Sequence, residues 1–297
     1  TQSTRVSVVL GEPIEVANSL RFNSGDSAYL SKTPSSAGDQ TTWTWSGWIK
    51  RSKLQVANQS FFGSENGSNR EAFLAFNSDD TLRFSDTGTG SNSYILNLST
   101  TQVFRDPSAW YHIVAAWDSN NVTQADRARL YVNGVRVTSF STNTNSISSS
   151  ADSYVNGANQ HFISRYVNYS NSATHNDGYL AEVNFCDGHQ LDPTSFAEED
   201  ETTGQWVPIE YTGSYGTNGF RLKFDNTSDL GEDSSGNDND FTANNLTATS
   251  NEVTVASADG GLPIYNTTGD DGDVKGSGYR TDSDSSSLVL AIPMDGA

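Results

Sequence analysis

The stretch that decides the fold spans residues 110–140 and reads WYHIVAAWDSNNVTQADRARLYVNGVRVTSF. Its dipeptide Asn133-Gly134 is the strongest short signal for a β-hairpin, because a type I′ turn requires positive φ at both central residues. The turn sets the register and places four apolar residues on one face of the ribbon, namely Leu130, Val132, Val135 and Val137. The other face carries Arg129, Tyr131, Arg136 and Thr138. This alternation predicts an antiparallel sheet with one packed face and one face in water.

Two further strands extend the pattern on the N-terminal side of the hairpin. Residues 110–117 are apolar at nearly every position and predict a strand in the middle of a sheet. Residues 41–51, TTWTWSGWIKR, alternate firmly and put Trp43 and Trp45 on one face. Trp48 interrupts the polar face, which indicates that both faces of this strand are partly covered. A strand covered on both faces fits the centre of a stack of two sheets.

Short strands separated by turns recur along the chain and predict an all-β sandwich or jelly roll. The remaining predicted strands are residues 19–22, 28–31, 59–63, 72–77, 81–85, 94–98, 160–166, 178–186, 219–225 and 251–256. Residues 142–152 are almost all Ser, Thr and Asn, and we expect a loop there because they cannot bury a core. The only helix signal is Asp192-Pro193, with Asp as N-cap, and it predicts a turn or two over residues 193–199.

Two apolar stretches, residues 5–10 and 288–293, lie near the termini and outside this series. A terminal apolar strand either closes its own sheet or pairs with a neighbouring subunit. The second outcome would join the chain, through residues 5–10 and 288–293, to other copies of itself or to other virion or surface proteins.

The charge of the chain limits its partners. The 297 residues carry a formal net charge of −19, with a pI near 4.3. Nucleic acid and anionic membranes both reward clustered Lys and Arg, so neither is expected as a partner. No run of residues approaches the roughly 18 apolar residues of a membrane span, so no membrane insertion is expected. The single cysteine, Cys186, excludes an intrachain disulfide and is expected to be buried and inert.

Several motifs together resemble the concanavalin A-like jelly rolls, and the laminin-G-like and pentraxin-like branch most. These motifs are Phe22-Asn23, Trp48, the pair Trp110 and His112, the Tyr-Val-Asn-Gly hairpin at residues 131–134 and Gly-Tyr-Leu-Ala-Glu-Val at residues 178–183. The resemblance implies an N-terminal arm over residues 1–17, a laminin-G-like jelly roll over 18–212 and a β-rich acidic extension over 213–297. None of the shared motifs is catalytic.

Residues 196–246 resemble a segment found in tail-fibre and other appendage proteins of bacteriophages, often marine ones. Its most specific part reads YTGSYGTNGF, at residues 211–220. This resemblance implies a subunit of a virion appendage, on the virion surface or in an extracellular setting. The polar, β-rich composition of the chain suits such an exposed position.

Hydrolysis of a glycan is the first chemistry to consider. Glucanases of this fold carry the pattern E-x-D-x-x-E on one strand, so that two carboxylates flank the scissile bond. The comparable strand here, residues 179–187, offers Glu182 alone. We therefore predict a protein that is not an enzyme, and a polysaccharide-active enzyme remains a less favoured alternative.

Calcium is the one cofactor that the sequence suggests. Ca²⁺ requires six to eight oxygen ligands, which Asp-rich turns supply. One candidate set is Asp229, Asp233, Asn237, Asp238 and Asp240, and a second is Asp270, Asp271 and Asp273. Neither follows the EF-hand spacing, and a solvated acidic loop is the alternative.

Glycan binding is the third possibility to consider, because aromatic faces and polar loops hold sugars. Tyr166, Tyr169 and His175 flank a polar loop, while Trp206, Tyr211 and Tyr215 lie on a second aperiodic stretch. Ordinary packing of these aromatic residues against the edge of the sandwich is the alternative. The sequence thus predicts a non-enzymatic appendage subunit with a lectin-like jelly roll that attaches to a cell-surface glycan. A purely structural decoration protein or filament subunit is the other reading.

Overall fold

The computed structural model describes residues 18–56, 58–65, 70–90, 93–167, 173–246 and 253–255, together with Ile14 and Val16. These residues form twenty strands, β1 to β20, and three 3-10 turns at Ser24–Asp26, Gln124–Asp126 and Pro193–Ser195. The strands are Asn18–Phe22, Tyr29–Lys32, Thr42–Arg51, Gln59–Glu65, Glu71–Phe76, Thr81–Asp86, Leu96–Val103, Tyr111–Asp118, Ala128–Val132, Val135–Arg136, Phe140–Asn145, Gln160–Ile163, Arg165–Val167, Ala173–His175, Gly178–Asp187, Ala197–Glu199, Trp206–Pro208, Phe220–Leu222, Thr242–Asn244 and Val253–Val255. Within the described residues, no helix is long and apolar enough to cross a membrane.

The strands form two large antiparallel sheets that pack face to face. The first, called here the hairpin sheet, has the order β10-β9-β8-β3-β15-β1-β20, and β18 also pairs with β15. The second, the facing sheet, has the order β11-β7-β6-β5-β4-β12-β2-β19. Two small ribbons, β13-β14 and β16-β17, lie outside them. The predicted all-β sandwich is confirmed.

The hairpin has the predicted turn and register. Asn133 and Gly134 have φ values of 46° and 79°, as a type I′ turn requires. Val132 is paired with Val135, and the next step of the ladder joins the Val137 amide to the Leu130 carbonyl. The prediction that Val135 faces a core is wrong, because its side chain is 71% exposed. Strand β10 is only two residues long and forms the edge of its sheet, so nothing packs over its first residue.

Aromatic side chains fill the space between the sheets. Trp43 and Trp117 stack with ring centroids 6.2 Å apart, and both are fully buried. Trp45 packs against Phe61 and Phe62 of the facing sheet at 5.3 and 5.8 Å. Alternation along β3 therefore places Trp43 and Trp45 in the core, as the sequence predicts, while Trp48 lies on the opposite face.

Two local predictions are corrected. The expected loop at residues 142–152 begins with a strand, since β11 (Phe140–Asn145) pairs with β7. This strand lies at an edge and is largely exposed, so its Ser, Thr and Asn side chains need no core. The expected helix at residues 193–199 is a single 3-10 turn, Pro193–Ser195, in which the Asp192 side chain caps the Thr194 amide. The chain then enters β16, because the next residues pair with β17.

The segment after residue 212 is built into the sandwich. Strand β18 pairs with the second half of β15, beyond the point where β1 ends, and β19 extends the facing sheet beside β2. Phe220, Leu222 and Phe241 belong to the same core as the tryptophans. The predicted terminal strands, residues 5–10 and 288–293, lie outside the described residues.

A second, smaller core covers the outer face of the hairpin sheet. Val114, Cys186, Phe196 and Tyr215 form it, and Tyr131, Leu191 and Tyr211 pack against it. The expectation of a buried cysteine is confirmed, and burial raises the pKa of the Cys186 thiol to about 12, which disfavours the reactive thiolate.

Candidate functional site

A cleft of about 580 Å³ opens at the side of the sandwich, between the edge strands of the two sheets. We call it the inter-sheet cleft. Its lining residues are Leu98, Gln124, Ala125, Ala128, Arg129, Leu130, Arg136, Val137, Thr138, Phe140, Asn143 and Asn145. They come from β7 and β11 on one wall and from β9, β10 and the 3-10 turn at Gln124–Asp126 on the other. Cavities of this size in proteins accommodate small molecules.

Two connections join the walls of the cleft. Residues 137–139 carry the chain from β10 in the hairpin sheet to β11 in the facing sheet. At the far end of β11, Gln124 and Asn145 exchange two hydrogen bonds between side chain and main chain, at 2.9 and 3.1 Å. The cleft is therefore closed along both ends of β11 and opens toward the side of the sandwich.

The floor of the cleft is apolar and its rim is polar. Leu98, Ala128 and Leu130 are buried members of the main core, and Val137 and Phe140 pack partly against it. The rim carries the side chains of Gln124, Arg129, Arg136, Thr138, Asn143 and Asn145. No carboxylate is among the lining residues. An apolar base with a few convergent hydrogen-bonding groups is the usual composition of a ligand site.

Asp126 sits behind the rim and interacts with both arginines. Arg136 places Nη2 2.6 Å from Asp126 Oδ1 and 3.1 Å from the Ala125 carbonyl oxygen. Arg129 Nε lies 3.6 Å from the same carboxylate oxygen, beyond hydrogen-bonding distance. Two wall atoms, Arg129 Nε and Asn145 Oδ1, are buried without a hydrogen-bond partner. Buried polar atoms without a partner also occur elsewhere in the described residues, for example at Trp43 and Gln59, so these two do not by themselves indicate a ligand.

Trp206, one of the predicted glycan-binding residues, covers a buried histidine. Its Nε1–H donates to His112 Nδ1 at 2.9 Å, and its ring lies over the turn at Gly134. His112 Nε2 in turn lies 2.8 Å from Ser46 Oγ, and Trp48 stacks on the imidazole at 4.9 Å. Burial lowers the pKa of His112 to about 3, so the ring is neutral and its Nδ1 accepts the hydrogen bond from the indole N–H. These contacts account for Trp206 without a ligand.

Tyr211 and Tyr215 pack in the second core. Tyr215 donates its hydroxyl proton to Asn184 Oδ1 at 2.8 Å, and the two tyrosine rings meet edge to face at 5.1 Å. Tyr211 also packs on Phe196 at 5.2 Å. Burial raises the pKa of both hydroxyls. The alternative of ordinary aromatic packing explains this pair, and a sugar-binding role for them stays a prediction.

His175 lies in a different place, with aromatic and cationic neighbours. Its ring is 5.7 Å from Tyr29, and the Arg165 guanidinium lies 4.7 Å from Tyr29 and 4.5 Å from Phe162. Burial and Arg165 lower the pKa of His175. The main chain of Tyr166 pairs with Thr174 in the β13-β14 ribbon. Tyr169 is outside the described residues, so the predicted grouping of these three stays a prediction.

The acidic loop uses its carboxylates as internal hydrogen-bond acceptors. Asp233 accepts from the amides of Arg221, Ser235 and Asn239 at 2.8 to 2.9 Å. Asp240 accepts from the amide of Asp233. Two other predicted calcium ligands also serve the loop: Asp229 accepts from the Gly231 amide, and the Asn237 amide group donates to two carbonyls.

Calcium therefore gains no support from the described geometry of this loop. Asp238 has a left-handed main chain, with φ 58°. In the part of the chain that the structure describes, no group of three or more acidic, His or Cys side chains is arranged to hold a metal ion. The second candidate set, Asp270, Asp271 and Asp273, falls outside that part. Calcium binding stays a prediction.

Glu182, the one carboxylate on the strand expected of a glucanase, is held by an arginine. It sits at a bulge of β15 with φ 44° and lies 3.0 Å from Arg221, which also contacts Glu210 at 2.6 Å. Burial raises the pKa of Glu182, and Arg221 opposes that shift. Glu182 and Glu210 thus share one guanidinium, and neither lines the inter-sheet cleft.

Sequence reasoning missed the inter-sheet cleft. Its lining comes from separate strands, and a stretch read as a loop forms one wall. One signal was visible: three arginines, Arg127, Arg129 and Arg136, fall within ten residues of a chain that has 17 lysines and arginines in all.

Comparison with known proteins places this geometry in a family. A family profile described as Laminin_G_3, of the concanavalin A-like lectin/glucanases superfamily, matches residues 23–193, more than half of the chain. No curated protein sequence matches. A heptameric SAP-like pentraxin from Limulus polyphemus is similar at 15% identity and a TM-score of 0.47, over 84% of this chain and 100% of its own.

Two further solved structures are similar at lower scores. Domains LG4-5 of the mouse laminin α1 chain give 14% identity and a TM-score of 0.42, over 69% of this chain and 50% of theirs. The CBM40 of a Ruminococcus gnavus sialidase, bound to α2,3 sialyllactose, gives 14% and 0.33, over 50% of this chain and 85% of its own. At these identities the similarities concern the fold alone.

Proposed function

The chain belongs to the concanavalin A-like lectin/glucanases superfamily, and from that premise we propose that it is a non-enzymatic, carbohydrate-binding subunit of a virion appendage or surface fibre. The inter-sheet cleft is the observation that carries the proposal. It is the place where an apolar floor, amide groups and guanidinium groups converge on an open volume of about 580 Å³.

The lining suits a sugar. Asn143, Gln124 and Thr138 offer donors and acceptors for hydroxyl groups, and the Phe140 ring offers an apolar surface for the face of a pyranose. Most glycosidases place two carboxylic groups on either side of the glycosidic bond, and the lining holds none. The lining therefore supports binding of a glycan over its cleavage by that mechanism.

The appendage setting rests on the segment that resembles phage appendage proteins, residues 196–246. In this structure the segment includes Phe196, Tyr211 and Tyr215, which cover the outer face of the hairpin sheet, and Phe220 and Phe241, which enter the main core. A virion-surface or extracellular location, and assembly through residues 5–10 and 288–293, complete the proposal. The rival is a purely structural subunit, for which the exposed edge strand β11 offers a surface for pairing.

Neighbouring residues of β11 provide the test of glycan binding. Asn143 lines the cleft, while Thr144 next to it points to the other face of the strand and does not. On a glycan array followed by calorimetry, we expect Asn143→Ala to weaken binding of the best glycan about tenfold or more, because one side-chain hydrogen bond is worth roughly 1 kcal/mol or more in a desolvated site. Thr144→Ala should bind as the unaltered protein does.

Three results would contradict the proposal. If the full chain binds no glycan on the array, the structural role is favoured. If Asn143→Ala and Thr144→Ala bind equally well, the cleft is not the site. Release of reducing ends from a polysaccharide by the full chain would favour the enzyme.

A further inference from the structure

The rim of the inter-sheet cleft is positively charged, although the chain as a whole is strongly acidic. Its rim holds Arg129 and Arg136, and Asp126 is the carboxylate that contacts them. Two guanidinium groups against one carboxylate leave an excess of one positive charge, while the chain as a whole carries −19. A neutral sugar gives no reason for this excess, and an anionic ligand does.

The guanidinium groups of the two arginines have N–H donors that Asp126 does not occupy. Arg136 uses Nη2 for both the Ala125 carbonyl and the Asp126 carboxylate, and its Nε and Nη1 donate to no described residue. Arg129 makes no contact with Asp126 shorter than 3.6 Å. A planar guanidinium with unused nitrogens matches the two oxygens of a carboxylate, which is the strongest pairing open to it.

The closure of the cleft decides which part of a glycan enters. Residues 137–139 join the walls beside the first residue of β11, and the Gln124–Asn145 pair joins them at its last residue. A polysaccharide cannot lie through a cleft whose walls are connected at both ends. A terminal sugar can enter from the open side.

We propose that the inter-sheet cleft binds a terminal sugar that carries a carboxylate, with Arg136 and Arg129 facing its acid group and Phe140 facing its ring. This inference rests on the proposed carbohydrate-binding function and specifies its ligand class. The carboxylate of the ligand competes with Asp126 for the two guanidinium groups. Asp126 therefore lowers the affinity of the site for an acidic sugar.

The test compares two glycosides that differ only in the acid group. Binding of methyl β-D-glucuronide and of methyl β-D-glucoside to the full chain is measured by calorimetry at low salt. We expect the glucuronide to bind about tenfold tighter, a preference that falls as salt is added. The methyl glycoside of N-acetylneuraminic acid, measured in parallel, distinguishes a uronic acid from a sialic acid as the source of the carboxylate.

Two variants should move the preference in opposite directions. Arg136→Gln should bring the ratio of the two affinities close to one, whereas Asp126→Asn should increase it, because it frees both arginines from their carboxylate. Arg83→Gln is the matched control, since Arg83 lies on β6 over Phe73 and Tyr94, away from the lining, and should leave the ratio unchanged. The opposite signs keep the test decisive even if one variant fails to fold.

The outcomes separate this inference from the function on which it rests. Equal binding of glucoside and glucuronide, with both lost in Asn143→Ala, would overturn the acid preference and leave glycan binding intact. No binding of any of the glycosides, together with no binding on the array, would overturn both. A preference for the glucuronide that survives Arg136→Gln and ignores Asp126→Asn would place the acid-binding groups elsewhere and overturn the inference.

Discussion

At the scale of single residues, two buried histidines set a pH limit on stability. His161 Nε2 accepts the Asn156 amide at 2.9 Å and Nδ1 lies 2.9 Å from the Asn159 carbonyl, so the ring is neutral in the fold. Burial lowers its pKa to about 4, and that of His112 to about 3. Asp86 has the opposite effect on how stability depends on pH, because burial raises its pKa to about 6.

The sign of the pH dependence follows from these shifts. Below pH 6.5 the unfolded chain protonates both histidines and the folded chain does not, so stability is lost as the pH falls toward 4. The raised pKa of Asp86 recovers part of that loss below pH 6. His161→Gln removes one of the two protons that the unfolded chain takes up on acidification. We therefore expect the free energy of unfolding of this variant to fall less steeply than that of the unaltered protein as the pH falls, by about 1.4 kcal/mol per pH unit near pH 5. Urea unfolding at pH 7, 6 and 5 measures this, and parallel curves for the two proteins would refute it.

A second prediction concerns Trp206 and distinguishes a structural role for its side chain from a role in glycan binding. Trp206→Phe keeps a ring over Gly134 and removes the donor to His112 Nδ1, leaving a buried acceptor unpaired. We expect a loss of about 1–3 kcal/mol in the free energy of unfolding and unchanged glycan binding. If Trp206→Phe and Trp206→Ala abolish binding while the melting temperature holds, the predicted aromatic platform is the site and the cleft is not.

At the scale of elements, the strands with a strong local signal were predictable. The turn at Asn133-Gly134 fixes its own register, and the alternation around Trp43 and Trp45 fixes which face of β3 is buried. Strand β11 gave no such signal, since an edge strand with polar residues on both faces resembles a loop in sequence. Without β11 one wall of the cleft keeps only Leu98 of β7, so its lining could not be assembled from the sequence.

The central strand β15 shows the same limit. Its extent was predicted to within a residue, from 178–186 against the observed Gly178–Asp187. The bulge of β15 at Glu182 was not predicted. The φ of 44° at this residue depends on strand partners that are distant in sequence. Those partners are β1 for the first half of the strand and β18 for the second. Local propensity carries no information about where one partner replaces another.

At the scale of the whole molecule, residues 213–246 decide whether the sandwich is complete. Phe220, Leu222 and Phe241 fill the main core, and Asn218 donates its amide hydrogens to Ser36 and Asn156 at 3.0 and 3.1 Å. The boundary expected at residue 212 therefore separates strands that share one core. A boundary between independent domains would instead leave few contacts across it.

A chain that ends at residue 212 tests this directly. Loss of Phe220 and Phe241 alone leaves cavities that lower the free energy of unfolding by about 3–5 kcal/mol for each ring. The free energy of unfolding of a whole domain is only about 5–15 kcal/mol. We expect the shortened chain to aggregate or to show no cooperative melting, while the full chain melts in one transition. Phe220→Ala in the full chain should lower the melting temperature strongly, and Val135→Ala, at a residue that is 71% exposed, should barely change it. A shortened chain that melts cooperatively near the temperature of the full one would show that residues 18–212 fold alone and that the later strands are an addition to a finished sandwich.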